Sequence, residues 1–279
     1  MNKTSNLSIS KLCSIANVSR SSYYKYQNKK PLKKDIEIIT LIKQIYWTNE
    51  GKLGYRRITM ELHRKFNMII NHKKVLRLMR ENGLKSKIRK KRKHSCVQRK
   101  NEKWTIAENL LQSNFKTNEL NKIFSTDVSY LTLKNGKRFY LSAMKDLASG
   151  EIVAYNVSDK HNIQLILSTI DQLKIDNCNN CIIHSDRGSL YSGFQYIQKL
   201  KELRIKRSMS EPMNPTQNAP IESFFGHLKD EVDYKKCKDL EELKDKIDKY
   251  VYYYNTGRYQ WNKNMLTPRE IKEHLLSYK

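Results

Sequence analysis

What this 279-residue chain has little of narrows its class at once. Five cysteines, an odd number in a chain this long, do not make a disulfide framework, so a reducing compartment is expected. Nine glycines and five prolines are too few for a collagen-like or low-complexity chain. No apolar run approaches the roughly 18 residues that a membrane helix needs. The opening Met1-Asn2-Lys3-Thr4-Ser5-Asn6 leads into no hydrophobic signal segment, and the cytoplasm is the expected location. Acidic residues are also scarce, 28 Asp and Glu against 54 Lys and Arg, for a formal charge of +26. The scarcity is uneven: residues 1–104 carry 28 basic and 6 acidic side chains, whereas residues 105–279 carry 26 and 22. Solubility does not require so lopsided a field, which favours a polyanionic partner, nucleic acid first.

The basic part is patterned for short helices. Ile9, Leu12, Cys13 and Ala16 make one helical stripe, Asn17-Val18-Ser19 supplies a turn and a fresh N-cap, and Tyr23 and Tyr24 open a second helix. That is a helix-turn-helix outline, and any small helical hairpin fits the pattern equally well. A second outline spans residues 54–84. Tyr55, Ile58, Leu62 and Phe66 share one face, residues 67–71 break it, Val75, Leu76 and Met79 resume it, and Gly83 can end it. Arg56, Arg57, Arg64, Lys65, Lys73, Lys74, Arg77 and Arg80 decorate the opposite faces, and two hairpins in so basic a segment favour DNA contact over a merely solvated face. Residues 85–103 then hold ten Lys or Arg, among them Lys90, Lys91, Arg92 and Lys93, and read as a linker that contacts phosphate and not base edges. The expected division is a helix-turn-helix at 1–30, a helical DNA-binding unit at 31–84, a basic linker at 85–120 and a catalytic core with C-terminal helices at 121–279.

From residue 123 the period changes to two. Residues 123–133 read as a strand, Asn135-Gly136 as a hairpin turn, 138–147 as a second strand and 151–157 as a third. A buried helix from Ile163, a short strand 181–184, a helix 194–203, a strand 205–209 and helices from about Pro220, near 239–255 and at 268–277 follow. Three antiparallel strands and then helix, strand, helix, strand, helix is the order of a ribonuclease H-like α/β fold.

Three acids sit where that order can bring them together. Asp127 is mid-strand, Asp186 lies just past the end of a buried strand, and Glu222 lies in the first turns of a helix. One carboxylate from each of three elements suits a pair of Mg²⁺ ions, which take oxygen ligands and serve phosphoryl transfer. Thirty-five residues separate Asp186 from Glu222, and Lys229 follows Glu222 by two helical turns on the same face. Asp146, at the end of the second strand, is the nearest competitor. His184-Ser185-Asp186 holds the residue types of a hydrolase triad, but strand neighbours face opposite sides and cannot make its geometry. Cys178 and Cys181 have zinc-like spacing without a second pair nearby. Tyr250, Tyr252, Tyr253 and Tyr254 could suggest a tyrosine nucleophile, although helical packing explains such a cluster more simply.

At these residues the chain resembles the DDE transposase and retroviral-integrase superfamily, and more narrowly the second-frame protein of the insertion sequence three family. The resemblance is carried by Thr126-Asp127-Val128-Ser129-Tyr130, by His184-Ser185-Asp186-Arg187-Gly188-Ser189 and by the long run from Asn218 to Lys229. Gly54-Tyr55-Arg56-Arg57, the run from Arg77 to Leu84, Tyr254-Asn255 with Arg258, and Thr267-Pro268 extend it over nearly the whole chain. It implies a transposase catalytic subunit that uses two Mg²⁺ ions, with Mn²⁺ as a substitute. Asp127 would bind both ions, and Asp186 and Glu222 one each. Lys229 would touch the transposon end, with Asn218 among the DNA contacts. Arg187 beside the triad either holds a phosphate or is solvated, and His184 either joins the site or packs at the strand edge. The resemblance further implies DNA ends and target DNA as partners, a homo-oligomer on DNA, nucleoid association, and an upstream-frame protein or fusion that supplies end recognition. The loop before Glu222 departs from the family: Glu211-Pro212 replace a basic pair, Met213 a glycine and Gln217 an aspartate. That departure keeps open a second reading, a DNA-binding regulator without cleavage. A plain nuclease on the same fold gives no reason for the basic N-terminal part.

Overall fold

A computed structural model describes residues 7–27, 33–87, 106–173, 180–211 and 214–277. The first hairpin joins α1 (Ile9–Ile15) to α2 (Arg20–Gln27). Asn17 turns the chain with φ +50°, and the Ser19 hydroxyl caps α2 by accepting the Ser22 N–H at 3.0 Å. Its interior is slight: of its described residues Cys13 alone is buried, and Ile15 is 70% exposed.

Three helices form the next unit: α3 (Lys33–Thr48), α4 (Tyr55–Phe66) and α5 (His72–Glu81). The last two stand where the periodicity puts them. Asn67, at φ +50°, ends α4, and the Asn71 side chain caps α5 by accepting the Lys73 N–H at 2.8 Å. The sequence reading missed α3, whose Ile38, Ile42 and Ile45 complete the core against Ile58, Leu62, Val75 and Leu78.

The remaining chain builds a five-stranded sheet from β1 (Ile123–Thr132), β2 (Arg138–Asp146), β3 (Ile152–Ser158), α6 (Ile163–Ile170), β4 (Ile182–Ser185), α7 (Phe194–Glu202) and β5 (Lys206–Met209). Its strand order is β3-β2-β1-β4-β5, with β1, β2 and β3 antiparallel and β4 and β5 parallel to β1. This is the ribonuclease H-like integrase fold, and its strands match the expected ones to within a residue or two. Strand β4 accompanies β1 only from Ile123 to Ser125, so β1 continues past its parallel neighbour.

Alternation along the strands divides the core. Phe124, Met144 and Ala154 pack with Ile166, Ile170, Tyr196 and Leu200 of α6 and α7. Leu131, Leu141 and Val157 face α8 (Ala219–Glu231) and α9 (Leu240–Thr256) on the other side, and α10 (Pro268–Ser277) follows. Helix α8 starts with Pro220 in its first positions, where the missing N–H costs nothing. Its Ile221, Phe224, Phe225 and Leu228 form one buried stripe, each side chain worth about 1.5–3 kcal/mol in apolar burial.

Polar side chains fix how these helices seat. The Asn255 amide accepts the Ile152 N–H and donates to the Ile152 carbonyl, both at 2.9 Å, which fastens α9 to β3. At the C-terminal end of α8, Glu231 takes Arg258 at 2.9 Å and Arg57 at 2.7 Å, and Tyr250 donates to it at 3.2 Å. Arg57 comes from α4, so this carboxylate joins the helical unit to the half that holds the sheet. Arg64 to Glu270 and the edge of His72 against Trp261 extend the same seam. Burial pushes the Glu231 carboxyl up, but Arg258 and Arg57 outweigh it and hold the group below its ordinary 4.5. Glu231→Ala strands two largely buried guanidiniums, and a loss of about 3–5 kcal/mol is expected as a lowered urea midpoint. Since the folded carboxyl titrates low, its contribution is complete above pH 4.5 and disappears only on further acidification. Stability should therefore fall more steeply below that pH in the wild type than in Glu231→Gln.

Candidate active site

Strand β1 carries Asp127 on the face shared with Ser125 and Ser129, toward α8. The Val128 N–H donates to the Asp127 carboxylate at 2.7 Å. Asp186 follows the last residue of β4, the strand beside β1. Its Oδ1 accepts the Gly188 N–H at 2.8 Å, and a Cβ on Gly188 would lie 2.8 Å from that same oxygen. Only glycine lets the carboxylate rest there. Glu222 is exposed in the first turn of α8, where the helix N-terminus favours a negative charge.

The start of α8 is tied to the sheet at several points. The Ser125 hydroxyl donates to Asn218 Oδ1 at 2.7 Å, and Asn218 Nδ2 donates to the Thr126 carbonyl at 3.3 Å. His184 Nε2 donates to the Gln217 carbonyl at 2.8 Å, which leaves Nδ1 to accept from the Ser208 hydroxyl at 2.8 Å. Lys145 Nζ reaches the Pro220 carbonyl at 3.2 Å and the Tyr254 hydroxyl at 3.1 Å. These bonds seat the start of α8, which carries Glu222, against the sheet that carries Asp127 and leads into Asp186.

The acids sense one another. Burial first, then the charge of Asp186 and that of Glu222, push Asp127 up to about 8, against the Val128 N–H and Lys229, which pull it down. Among the described residues, however, no three His, Cys, Asp or Glu side chains close around one metal-sized point. The arrangement is an open set of hard oxygen donors, the kind that suits Mg²⁺ with water and phosphate in its other positions. Lys229 donates to the Ser129 hydroxyl at 2.5 Å and lies 4.9 Å from the Tyr130 ring centroid.

Other expected site residues stand elsewhere. Asn218, expected at DNA, is buried, and both ends of its amide bond to β1, so it positions α8. Arg57, likewise expected at DNA, is held by Glu231 in the seam between the two halves. Lys74 and Arg77 both pair with Asp35 of α3, at 2.7 and 3.0 Å. Arg56 is exposed and lies 5.8 Å from both the Tyr55 and the Trp261 rings, and Lys73 and Arg80 are exposed on α5. Lys90, Lys91, Arg92 and Lys93 lie outside the described residues. The Arg187 Nε donates to the Ser210 carbonyl at 2.7 Å, at the edge of an open cleft of about 640 Å³. His184 is wholly buried, with both ring nitrogens bonded away from the acids.

The rival groups have structural work. Asp146 accepts the Asn121 and Ser149 N–H groups at 3.0 and 2.8 Å and shapes the turn after β2. Tyr250 and Tyr254 pack on Phe224, and Cys181 is buried with its thiol on the Asn121 carbonyl. Cys178 lies outside the described residues. The roles of Gly188 and Asn218 were hidden inside recognised motifs, whose spacing does not say which residue binds and which positions.

Comparison with known proteins agrees with this architecture. An HTH-like domain matches residues 33–92, and integrase core domains match residues 117–215 and 203–268. The transposase InsK of insertion sequence element IS150 from Escherichia coli is 36% identical over 269 residues, which cover 95% of this chain and 93% of that protein. This chain belongs to the insertion-sequence transposases. The transposase of insertion sequence element IS904 from Lactococcus lactis is 31% identical, over 88% of this chain and 99% of its own length. Among solved structures, the HTLV-2 integrase catalytic core is 19% identical at a TM-score of 0.44, over 54% of this chain and 95% of that one. The family works by polynucleotidyl transfer, and transposition is the function of this chain. No helix among the described residues is long and apolar enough to cross a membrane.

The unusual loop before Glu222 is knit together by its own departures. The Glu211 N–H donates to Gln217 Oε1 at 2.5 Å, and Gln217 Nε2 donates to Glu211 Oε2 at 3.1 Å. Glu211 and Gln217 are thus bonded to each other across the loop. The contact at Gly188 gives a direct test of this candidate site. Gly188→Ala should displace the Asp186 carboxylate while leaving the fold intact, because its φ of −61° suits any residue. DNA strand cleavage should fall by about a hundredfold, the scale of an ångström-level misplacement, with the thermal unfolding midpoint nearly unchanged.

Proposed function

We propose that Asp127, Asp186 and Glu222 are the metal-binding acids of this transposase, holding two Mg²⁺ ions that Mn²⁺ can replace. What supports this reading is that β1, the end of β4 and the start of α8 each carry one of the three carboxylates, two of which press on the titration of the third. So much negative charge, partly withdrawn from water, is relieved by a divalent cation, and every donor is a hard oxygen. Bound there, the ions would activate the attacking oxygen and stabilise the leaving one in phosphodiester chemistry.

The protein's own groups do the rest. Asp127 on β1 and Asp186 just past the end of the adjacent β4 form one side of the site, and Glu222 completes the set from the exposed first turn of α8. Lys229 engages the transposon-end strand beside the scissile phosphate. In the first step water attacks that phosphorus, the bond to the bridging oxygen breaks, and a DNA 3′-hydroxyl is left. In the second that hydroxyl attacks another phosphodiester, joining the strands and releasing a new 3′-hydroxyl. No covalent link to the protein forms. DNA binding is shared among exposed Arg56, Lys73 and Arg80, Arg187 beside the site, and the basic linker. The working form is a homo-oligomer on DNA, together with an upstream-frame protein or fusion that recognises the ends.

The test is cleavage and joining of a labelled element end by Asp127→Asn, Asp186→Asn and Glu222→Gln. Each substitution preserves shape and removes charge, so each should abolish both reactions with DNA binding retained. The losses should not add, since one missing ligand already disables the site. Asp245→Asn, at an exposed acid on α9, should keep activity, whereas Asp146→Asn is no neutral control given its role in the turn. Lys229→Ala should weaken engagement of the end and recover in part at low salt. Full activity in any one of the three acid variants would remove that residue from the site.

A further inference from the structure

Three stretches that contribute to the seam between the halves carry no acidic residue: 51–60, 62–80 and 249–269. Between α9 and α10 the last of them forms a tight loop. The Gln260 N–H donates to the Leu266 carbonyl at 2.9 Å, and the Lys263 and Met265 N–H groups donate to the Gln260 carbonyl at 3.1 and 3.2 Å. Asn264 and Met265 turn the chain in succession at φ +51° and +58°. The loop is thereby closed on itself, and its tip, Asn262, Lys263 and Asn264, is exposed. Trp261, next to the tip, seats the loop against the helical unit. Its ring lies 5.5 Å from that of His72, edge to face, and His72 in turn stacks on Tyr55 at 5.9 Å. The Arg56 guanidinium lies 5.8 Å from both the Tyr55 and the Trp261 rings. Lys73 follows His72 and, like Arg56, is exposed. The acids of the seam already have cations: Glu231 has Arg57 and Arg258, Glu270 has Arg64, and Glu61 has Lys65. The cations left exposed, Arg56, Lys73 and Lys263, come from both halves of the chain.

We infer that the loop from Gln260 to Leu266 is part of the DNA grip of the helical unit, with Lys263 on a backbone phosphate and Trp261 positioning Arg56 for another. The inference rests on the reading of Arg56 and Lys73 as DNA contacts. A guanidinium attracted to two rings is already placed, so less freedom is lost when a phosphate arrives. The rings are occupied with one another, Tyr55 with His72 and His72 with Trp261, so the surface offers charge and no free stacking face. That selects the phosphate backbone of a duplex over its bases. Backbone contacts of this kind fix register and orientation and read no sequence. The loop hangs from α9, in the half that holds the sheet. DNA gripped by it and by the start of α5 is therefore held by both halves at once, and the helical unit does not orient it alone.

The test measures binding of the full chain, in metal-free buffer over a range of salt, to labelled blunt duplexes of two unrelated sequences. Lys263→Ala should weaken binding to both alike and lower the slope of log affinity against log salt by about 1, the loss of one phosphate contact. Trp261→Leu should weaken binding and lower the slope in the same way, whereas Trp261→Phe, which keeps a ring, should restore both. Trp261→Leu should also cost less in an Arg56→Ala background than in the wild type, because part of its effect runs through that guanidinium. Lys201, exposed on α7 on the other side of the sheet from α8 and α9, controls for bulk charge, and Lys201→Ala should keep affinity and slope. Wild-type affinity and slope in Lys263→Ala, or an equal loss in Lys201→Ala, overturns the proposal. Failure of the underlying reading would appear separately, as unimpaired binding by Arg56→Ala and Lys73→Ala.

Discussion

The side-chain amide of Asn218 is the joint on which the site depends. It binds the Ser125 hydroxyl with one end and the Thr126 carbonyl with the other, so the helix that carries Glu222 is fastened to the strand two residues before Asp127. His184 fixes the preceding turn through Gln217, and Lys145 holds the Pro220 carbonyl in the first turn of the helix. At the far end of the same helix Glu231 gathers Arg258 and Arg57. Pinned at both ends and packed along one stripe, α8 has little freedom to carry Glu222 away from the two strands. Within the polar turn before it, Pro215–Asn218, Gln217 and Asn218 supply this geometry.

Such fastening is needed because the site is electrostatically unfavourable in itself. Burial and two like charges drive Asp127 up to about 8, and a loose helix would relax by moving its carboxylate away. The cost of assembling the acids is offset by bonds that lie outside them. A similar logic governs the basic half. Part of its charge serves architecture: Arg57 reaches into the seam with α8 and α9, and Lys74 and Arg77 neutralise Asp35. The net charge correctly signals a polyanion partner, but it does not say which cations face that partner.

The sequence made the sheet legible because alternation, turns and length all agree there. The Asn135-Gly136 turn, with Gly136 at φ +86°, and the capped helices fall where their chemistry puts them. The acids were legible as a spacing and a set of elements. Helix α3 was not: a stretch as rich in isoleucine as 36–45 fits strand and helix alike until its partners Ile58, Leu62 and Val75 are seen. Nor could Asn218, Arg57 or His184 be distinguished from binding residues, since a polar side chain looks the same in sequence whether it meets DNA or a buried carbonyl. The bonds between Glu211 and Gln217 were not visible in the sequence, where the two residues read only as separate departures.

The central claim is that these three acids form one cation site, and anomalous scattering from crystals of the full chain grown with Mn²⁺ tests it most directly. The account predicts anomalous density bounded by Asp127, Asp186 and Glu222, and its loss in Asp127→Asn crystals. Wild-type crystals with ordered acids and no anomalous density among them, at a Mn²⁺ concentration that supports cleavage, would contradict it.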